Sequence, residues 1–153
     1  MALSVSSPAF SEGGKIPPEY TCESNDISPQ LDWFGIPKET KTLALIVDDP
    51  DAPGGVFTHW VIFNIPPNSN GLSKAIPSIP EFPNGTLQGE NDFGKTGYGG
   101  PCPPPGKAHR YRFSLYALDE KLDLAAGSSK NQVLNATGGH ILSQCQLTGT
   151  YQR

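Results

Sequence analysis

The chain has 153 residues, 36% of them hydrophobic, with 11 Lys and Arg against 15 Asp and Glu and a formal charge of −4. That length suits one domain, spanning 1–153, with a core of its own; the acidic balance and scattered cations exclude general nucleic-acid affinity and polybasic membrane binding. Gly 17 and Pro 16 make it rich in turns without reaching the composition of a disordered chain.

The opening Met1-Ala2-Leu3-Ser4-Val5 has neither the charged start nor the apolar stretch of a signal peptide, and no segment is long and apolar enough to span a membrane. A cytoplasmic location is expected. Cys22, Cys102 and Cys145 are odd in number and lack metal-ligand spacing, so reduced thiols are expected, with no metal and no cofactor. Residues 43–47 form a continuous apolar run ending at Asp-Pro punctuation, the pattern of a fully buried strand. Residues 60–65 form a second, β-branched and aromatic, stopped by Pro66-Pro67. Residues 66–100 read as a long irregular connection, a feature that in compact domains is usually functional or poorly ordered.

From Tyr111 the alternation of Tyr111, Phe113 and Leu115 with Arg112 and Ser114 has the period of a half-buried strand. Residues 145–151 alternate similarly. One helix is expected after Ser128 or Ser129 as cap, with Val133, Leu134 and Ala136 in its body and Gly138-Gly139 as its stop. A second short helix is expected near residues 122–126. The fold class is mainly β, an antiparallel β-sandwich with one or two short peripheral helices.

Chemistry concentrates in two loops. Asp48-Asp49-Pro50-Asp51-Ala52-Pro53 precedes His59-Trp60, and Gly97-Tyr98-Gly99-Gly100-Pro101-Cys102-Pro103-Pro104 precedes His109-Arg110-Tyr111. Each ends with an imidazole entering an apolar run. An aspartate close to an imidazole favours its protonated form, which suits a small anion. Asp49, at the strand end, is the acid expected to act on the site; Asp51 and Asp48 read as turn or surface residues. Gly99-Gly100-Pro101 can present consecutive N–H groups to an anion. His109 and Tyr111 lie two apart on a strand and share a face, with Arg110 on the other. Cys102 beside a histidine invites a nucleophile reading, which lacks a recognisable base and oxyanion arrangement. His140 reads as structural. Gly89-Glu90-Asn91-Asp92-Phe93-Gly94-Lys95-Thr96 fits the nucleotide-binding P-loop literally, but Gly97-Tyr98-Gly99-Gly100-Pro101 cannot propagate the helix that such a loop requires.

The ordered segments Asp-Pro-Asp-Ala-Pro, His-Trp, Gly-Pro-Cys-Pro-Pro and His-Arg-Tyr resemble the phosphatidylethanolamine-binding protein (PEBP) family, in its bacterial Raf-kinase-inhibitor-like branch. The resemblance extends to Gly13-Gly14-Lys15-Ile16-Pro17, to Ser28-Pro29-Gln30-Leu31-Asp32-Trp33 and to Leu147-Thr148-Gly149-Thr150-Tyr151. It implies a β-sandwich with Greek-key connections and a non-catalytic protein that binds a phosphate-bearing or other small anionic ligand, of phospholipid-headgroup type. The site residues implied are Asp49, His59, Gly100, Pro101, His109 and Tyr111, with Asp51, Phe57, Gly99 and Cys102 around them. Phe57 stands where animal relatives carry tryptophan, which makes that wall smaller. Modulation of kinases or proteases is a further implication, and the chain stops at Arg153 without the C-terminal helix of the animal branch. The competing readings are a hydrolase using the Asp/His pocket, with His59 or His109 as base, and a homodimeric interaction module.

Overall fold

The computed structural model describes residues 2–153. Two antiparallel sheets are formed by β1 (Ser4–Ser6), β2 (Leu31–Phe34), β3 (Thr42–Asp49), β4 (Phe57–Ile65), β5 (Gly71–Leu72), β6 (Leu87–Gln88), β7 (His109–Leu118) and β8 (Ile141–Tyr151). The small sheet has the order β1-β2-β5 and the large one β6-β4-β3-β7-β8. Within the large sheet the order β7-β3-β4-β6 is a Greek key, with β5 detouring into the other sheet.

β3 and β4 read as unbroken apolar runs because both of their faces are covered. On one face Leu43, Leu45, Val47, Trp60, Ile62, Phe113 and Leu115 pack against Val5, Leu31 and Trp33 of the small sheet. On the other, Ala44, Ile46, Val61 and Phe63 meet Leu118, Leu122 and Val133. Val133 belongs to the expected helix, α1 (Lys130–Ala136), which starts with a capping box. Ser129 Oγ accepts from the Gln132 N–H, and the Gln132 side chain accepts from the Ser129 N–H.

The second expected helix is absent; residues 122–126 run as irregular chain. Asn64 explains this. It sits in the left-handed region (φ 56°) beside a break in the β3–β4 register, and its amide bonds both Leu122 N–H and Leu122 C=O at 2.9 Å. The Leu122 carbonyl is the group that would have accepted the first bond of a helical turn over these residues.

Residues 66–100 are tied down rather than loose. The buried Gln88 side chain accepts from Trp60 Nε1 at 2.7 Å and donates to the Pro77 and Ile79 carbonyls. The expectation of three reduced thiols is also corrected. Cys22, just after a short 3-10 helix (Pro18–Tyr20), is disulfide-bonded to Cys102, and only Cys145 is free. A backbone bond from Cys22 N–H to Pro101 C=O, at 3.1 Å, holds the two segments in reach of one another.

Candidate binding pocket

At the Asp49 end of the large sheet lies a pocket of about 140 Å³, lined by Asp49, Ala52, Pro53, Phe57, His59, Phe93, Cys102, Pro103, Pro104, His109 and Tyr111. Both loops singled out in the sequence contribute. Asp49 ends β3, Phe57 and His59 open β4, and His109 and Tyr111 open β7.

His59 reaches the pocket through a β-bulge. Val47 pairs with Trp60 but Asp48 pairs with Thr58, so His59 is an extra residue on β4. Strict alternation would set His59 and Trp60 on opposite faces; the bulge re-aims the imidazole to the side on which Phe57 also lies. Its Nδ1 is 2.7 Å from the Gly99 carbonyl, which only a protonated nitrogen can approach as donor, so the lone pair of the neutral ring sits on Nε2. Burial pushes the His59 pKa below 6.5, although the Gly99 carbonyl and Asp49 pull it upward. His59 therefore enters neutral solution as an uncharged ring.

His109, not His59, is the partner of Asp49. His109 Nδ1 lies 2.7 Å from Asp49 Oδ2, and Oδ1 of the same carboxylate accepts the Asp51 N–H at 2.7 Å. Both groups are buried, and His109 too has its Nε2 left without a protein partner among the bonds of the pocket. Beside them the Tyr111 hydroxyl is buried with no hydrogen-bond partner, and burial pushes its pKa well up. An unmade bond on a buried hydroxyl costs about 1–3 kcal/mol, so this oxygen marks a place where something polar is missing.

Phe57 stacks against His59 with centroids 5.0 Å apart, and Phe93 closes on both, at 4.8 Å from Phe57 and 5.5 Å from His59. With the prolines they make the pocket's exposed lining mostly apolar. No lysine or arginine lines it.

The chain matches the family described as phosphatidylethanolamine-binding protein over residues 6–152. It belongs to the PEBP family. It is 54% identical over 151 residues to a UPF0098 protein of Methanothermobacter thermautotrophicus, covering 99% of each chain. Among solved structures it is similar to the PEBP homologue CT736 of Chlamydia trachomatis, with a TM-score of 0.91, 39% identity and coverage of 99% and 98%. It is also similar to E. coli YBCL, described as a member of the mammalian PEBP family, with a TM-score of 0.91, 33% identity and coverage of 100% and 99%.

In this PEBP-family chain several expected site residues turn out to be supports. The Gly99 N–H bonds the His59 carbonyl at 2.9 Å, and the Gly100 N–H bonds Asp26 Oδ1 at 2.8 Å. Neither faces the pocket as a free donor, which corrects the anion-nest reading. Gly100 is required for another reason: a Cβ there would stand 2.2 Å from the Tyr20 carbonyl oxygen. Pro101 is buried and offers its carbonyl to Cys22 rather than lining the cavity. Asp51 is bound by the Arg110 guanidinium in a two-point contact, which holds its carboxyl down at about 2, outside the pocket. Cys102 lines the wall, but as half of a disulfide it has no thiolate to offer. His140 lies away from the site, between Asp119 and Glu120.

Phe93, the principal wall residue not anticipated, sits inside the segment that mimics a P-loop. No helix follows it. Instead Asn91 Oδ1 accepts the N–H groups of Phe93 and Lys95, and Asp92 binds Thr58 through both its backbone N–H and its carboxylate. These bonds lay the segment along β4 and deliver the ring to His59.

Proposed function

We propose that this pocket binds a small anionic group, of the phosphate-bearing kind found in phospholipid headgroups, and does so without turning it over. One observation carries the reading. Two imidazoles have Nδ1 committed to protein acceptors and Nε2 open, next to a buried tyrosine hydroxyl that lacks a partner. An anionic oxygen can accept from Tyr111 Oη and from a protonated His109 whose charge Asp49 balances. It would also raise the pKa of His59, so binding draws in a proton and strengthens as pH falls toward 6.

The absence of a lining lysine or arginine favours a singly charged group, because a low-dielectric pocket penalises each uncompensated charge. Cys102 being oxidised, and the lining containing no serine or threonine, supports binding rather than covalent catalysis. The Cys22–Cys102 disulfide counts against the expected cytoplasmic location, since disulfides favour oxidising compartments. Modulation of a kinase or protease would be an output of the occupied pocket and is not required for this reading.

The test is a titration with inorganic phosphate and with phosphoethanolamine, following the histidine ring signals by NMR. His59 and His109 should shift while His140 stays still. His109→Ala should weaken binding by about tenfold or more, the loss of one charge-assisted bond. A response confined to His140, or none at millimolar ligand, would sink the assignment.

A further inference from the structure

We propose that the Cys22–Cys102 disulfide is a redox-modification site, opened by a dithiol reductant, that sets the position of one wall of the pocket. The inference rests on the pocket reading above for its functional output, and on the following placement for its chemistry. Cys102 and its neighbours Pro103 and Pro104 are wall residues. Both cysteines are exposed, so the bond is open to attack from solvent.

The wall has few other tethers. Pro101, Pro103, Pro104 and Pro105 have no N–H to donate, so residues 101–105 can be held only through carbonyls and the one cysteine. Two carbonyl bonds are made: Cys22 N–H to Pro101, and Arg153 Nη1 to Pro103 at 3.3 Å. The proline run is stiff, flanked by Gly100 and by Gly106, whose φ of 138° favours glycine. Gly106 is bonded to the C-terminal residues, its N–H to the Arg153 carbonyl at 3.2 Å and its carbonyl to Gln152 Nε2 at 2.6 Å, so once the disulfide opens the wall is held by these hydrogen bonds alone and can shift as a unit whenever they break.

The direction of cleavage also follows. Arg153 Nη1 lies 3.7 Å from Cys102 Sγ, where its charge stabilises a thiolate on that sulfur. A thiolate of the reductant attacks Cys22 Sγ, the S–S bond breaks, and its electron pair leaves on Cys102 Sγ. The second thiol of the reductant gives up its proton and displaces Cys22 from the mixed disulfide. Two electrons pass to the protein, the reductant becomes a disulfide, and its two protons end on the released thiols. Among the described residues Cys145 is the remaining cysteine; it lies on β8, and burial pushes its thiol up to about 11, so it does not compete as an internal thiolate.

The experiment uses the full chain, oxidised and after dithiothreitol, with alkylation and mass spectrometry counting thiols. Without ligand, reduction should shift the His59 and His109 ring signals and speed Gly106 amide exchange by about tenfold or more. With inorganic phosphate as probe, the apparent Kd should rise about threefold or more, because a smaller fraction of molecules holds the wall in place. Reoxidation should restore each value, so the test does not depend on whether Cys22→Ser/Cys102→Ser folds; that variant should resemble the reduced protein under both conditions. Arg153→Gln should slow reduction severalfold. An unchanged rate would overturn the assignment of Cys102 as leaving sulfur. Full reduction with ring signals and Gly106 exchange unchanged, or a disulfide that survives millimolar dithiothreitol in the folded protein, would overturn the proposal. If the pocket signals respond but phosphate binds neither form, the anion reading fails and the redox site stands.

Discussion

Asp48 and Asp49 are consecutive buried acids on β3, and they face opposite sides of the large sheet into opposite kinds of company. Asp48 turns toward the helix side, where Arg112 Nε and Lys130 Nζ each lie 2.8 Å from one of its oxygens. Asp49 turns toward the pocket and meets an imidazole and a backbone N–H. One carboxylate is paired with a guanidinium and an ammonium, the other with an imidazole and a backbone N–H. The first arrangement can only hold the helix to the sheet. The second leaves a ring nitrogen for a ligand, and so buried charge of similar depth becomes structure on one face and chemistry on the other.

The comparison is broken most severely by removing the core that both sides share. Phe113 lies on the pocket face of β7, two residues below Tyr111, fully buried and 5.5 Å from the Phe10 ring. Phe113→Ala should cost about 3–5 kcal/mol of stability by chemical denaturation. A harmless Phe113→Ala would mean that β7 faces the wrong way and would take the pocket with it.

Next in size is Asp48→Asn, which strands two half-buried cations and should cost about 2–3 kcal/mol while phosphate affinity holds. Its denaturation midpoint and its phosphate titration separate the two faces: a matching loss of affinity would show that they are coupled.

The smallest effect is the pH dependence of His59. Its folded pKa lies below its unfolded value, so the unfolded chain binds more protons once pH falls below about 6.5. The stability it contributes is present above the unfolded pKa and is lost as pH falls through 6.5 toward the folded pKa. Denaturation curves between pH 7.5 and 5 should show this decline, and His59→Phe should flatten it. Saturating phosphate should flatten it too, by raising the folded pKa; an identical slope in all three would show that His59 is not the titrating group.

The sequence carried the large sheet well, because strands buried on both faces leave apolar runs and prolines mark their ends. The small sheet was harder to see, since β1 and β5 are only three and two residues long and depend on β2 for pairing. Of the site, Asp49, His59, His109 and Tyr111 do line one pocket, as their positions at strand ends and their family resemblance implied. What local pattern could not show was who bonds whom. The Gly100 N–H is claimed by Asp26, and Cys102 by Cys22 some 80 residues away. The pairing of Asp49 with His109 rather than His59 follows from the β4 bulge and the position of Gly99. The helix expected near residues 122–126 failed for the same reason: Asn64, distant in sequence, takes the Leu122 carbonyl.

The chain also closes on itself. Gly13 N–H bonds Thr148 C=O, Thr150 N–H bonds Gly14 C=O, and Ile16 N–H bonds Thr150 C=O, so residues 13–16 seal the outer edge of β8. Residues 13–16 are thus synthesised well before β8, the strand that pairs with them. Until translation reaches β8, the β7 edge has no neighbour, and the opening segment has nothing to bind. The native sheet therefore cannot be complete before β8 has been made, and until then the nascent β3–β4–β7 sheet has an open edge, where protection from aggregation matters most.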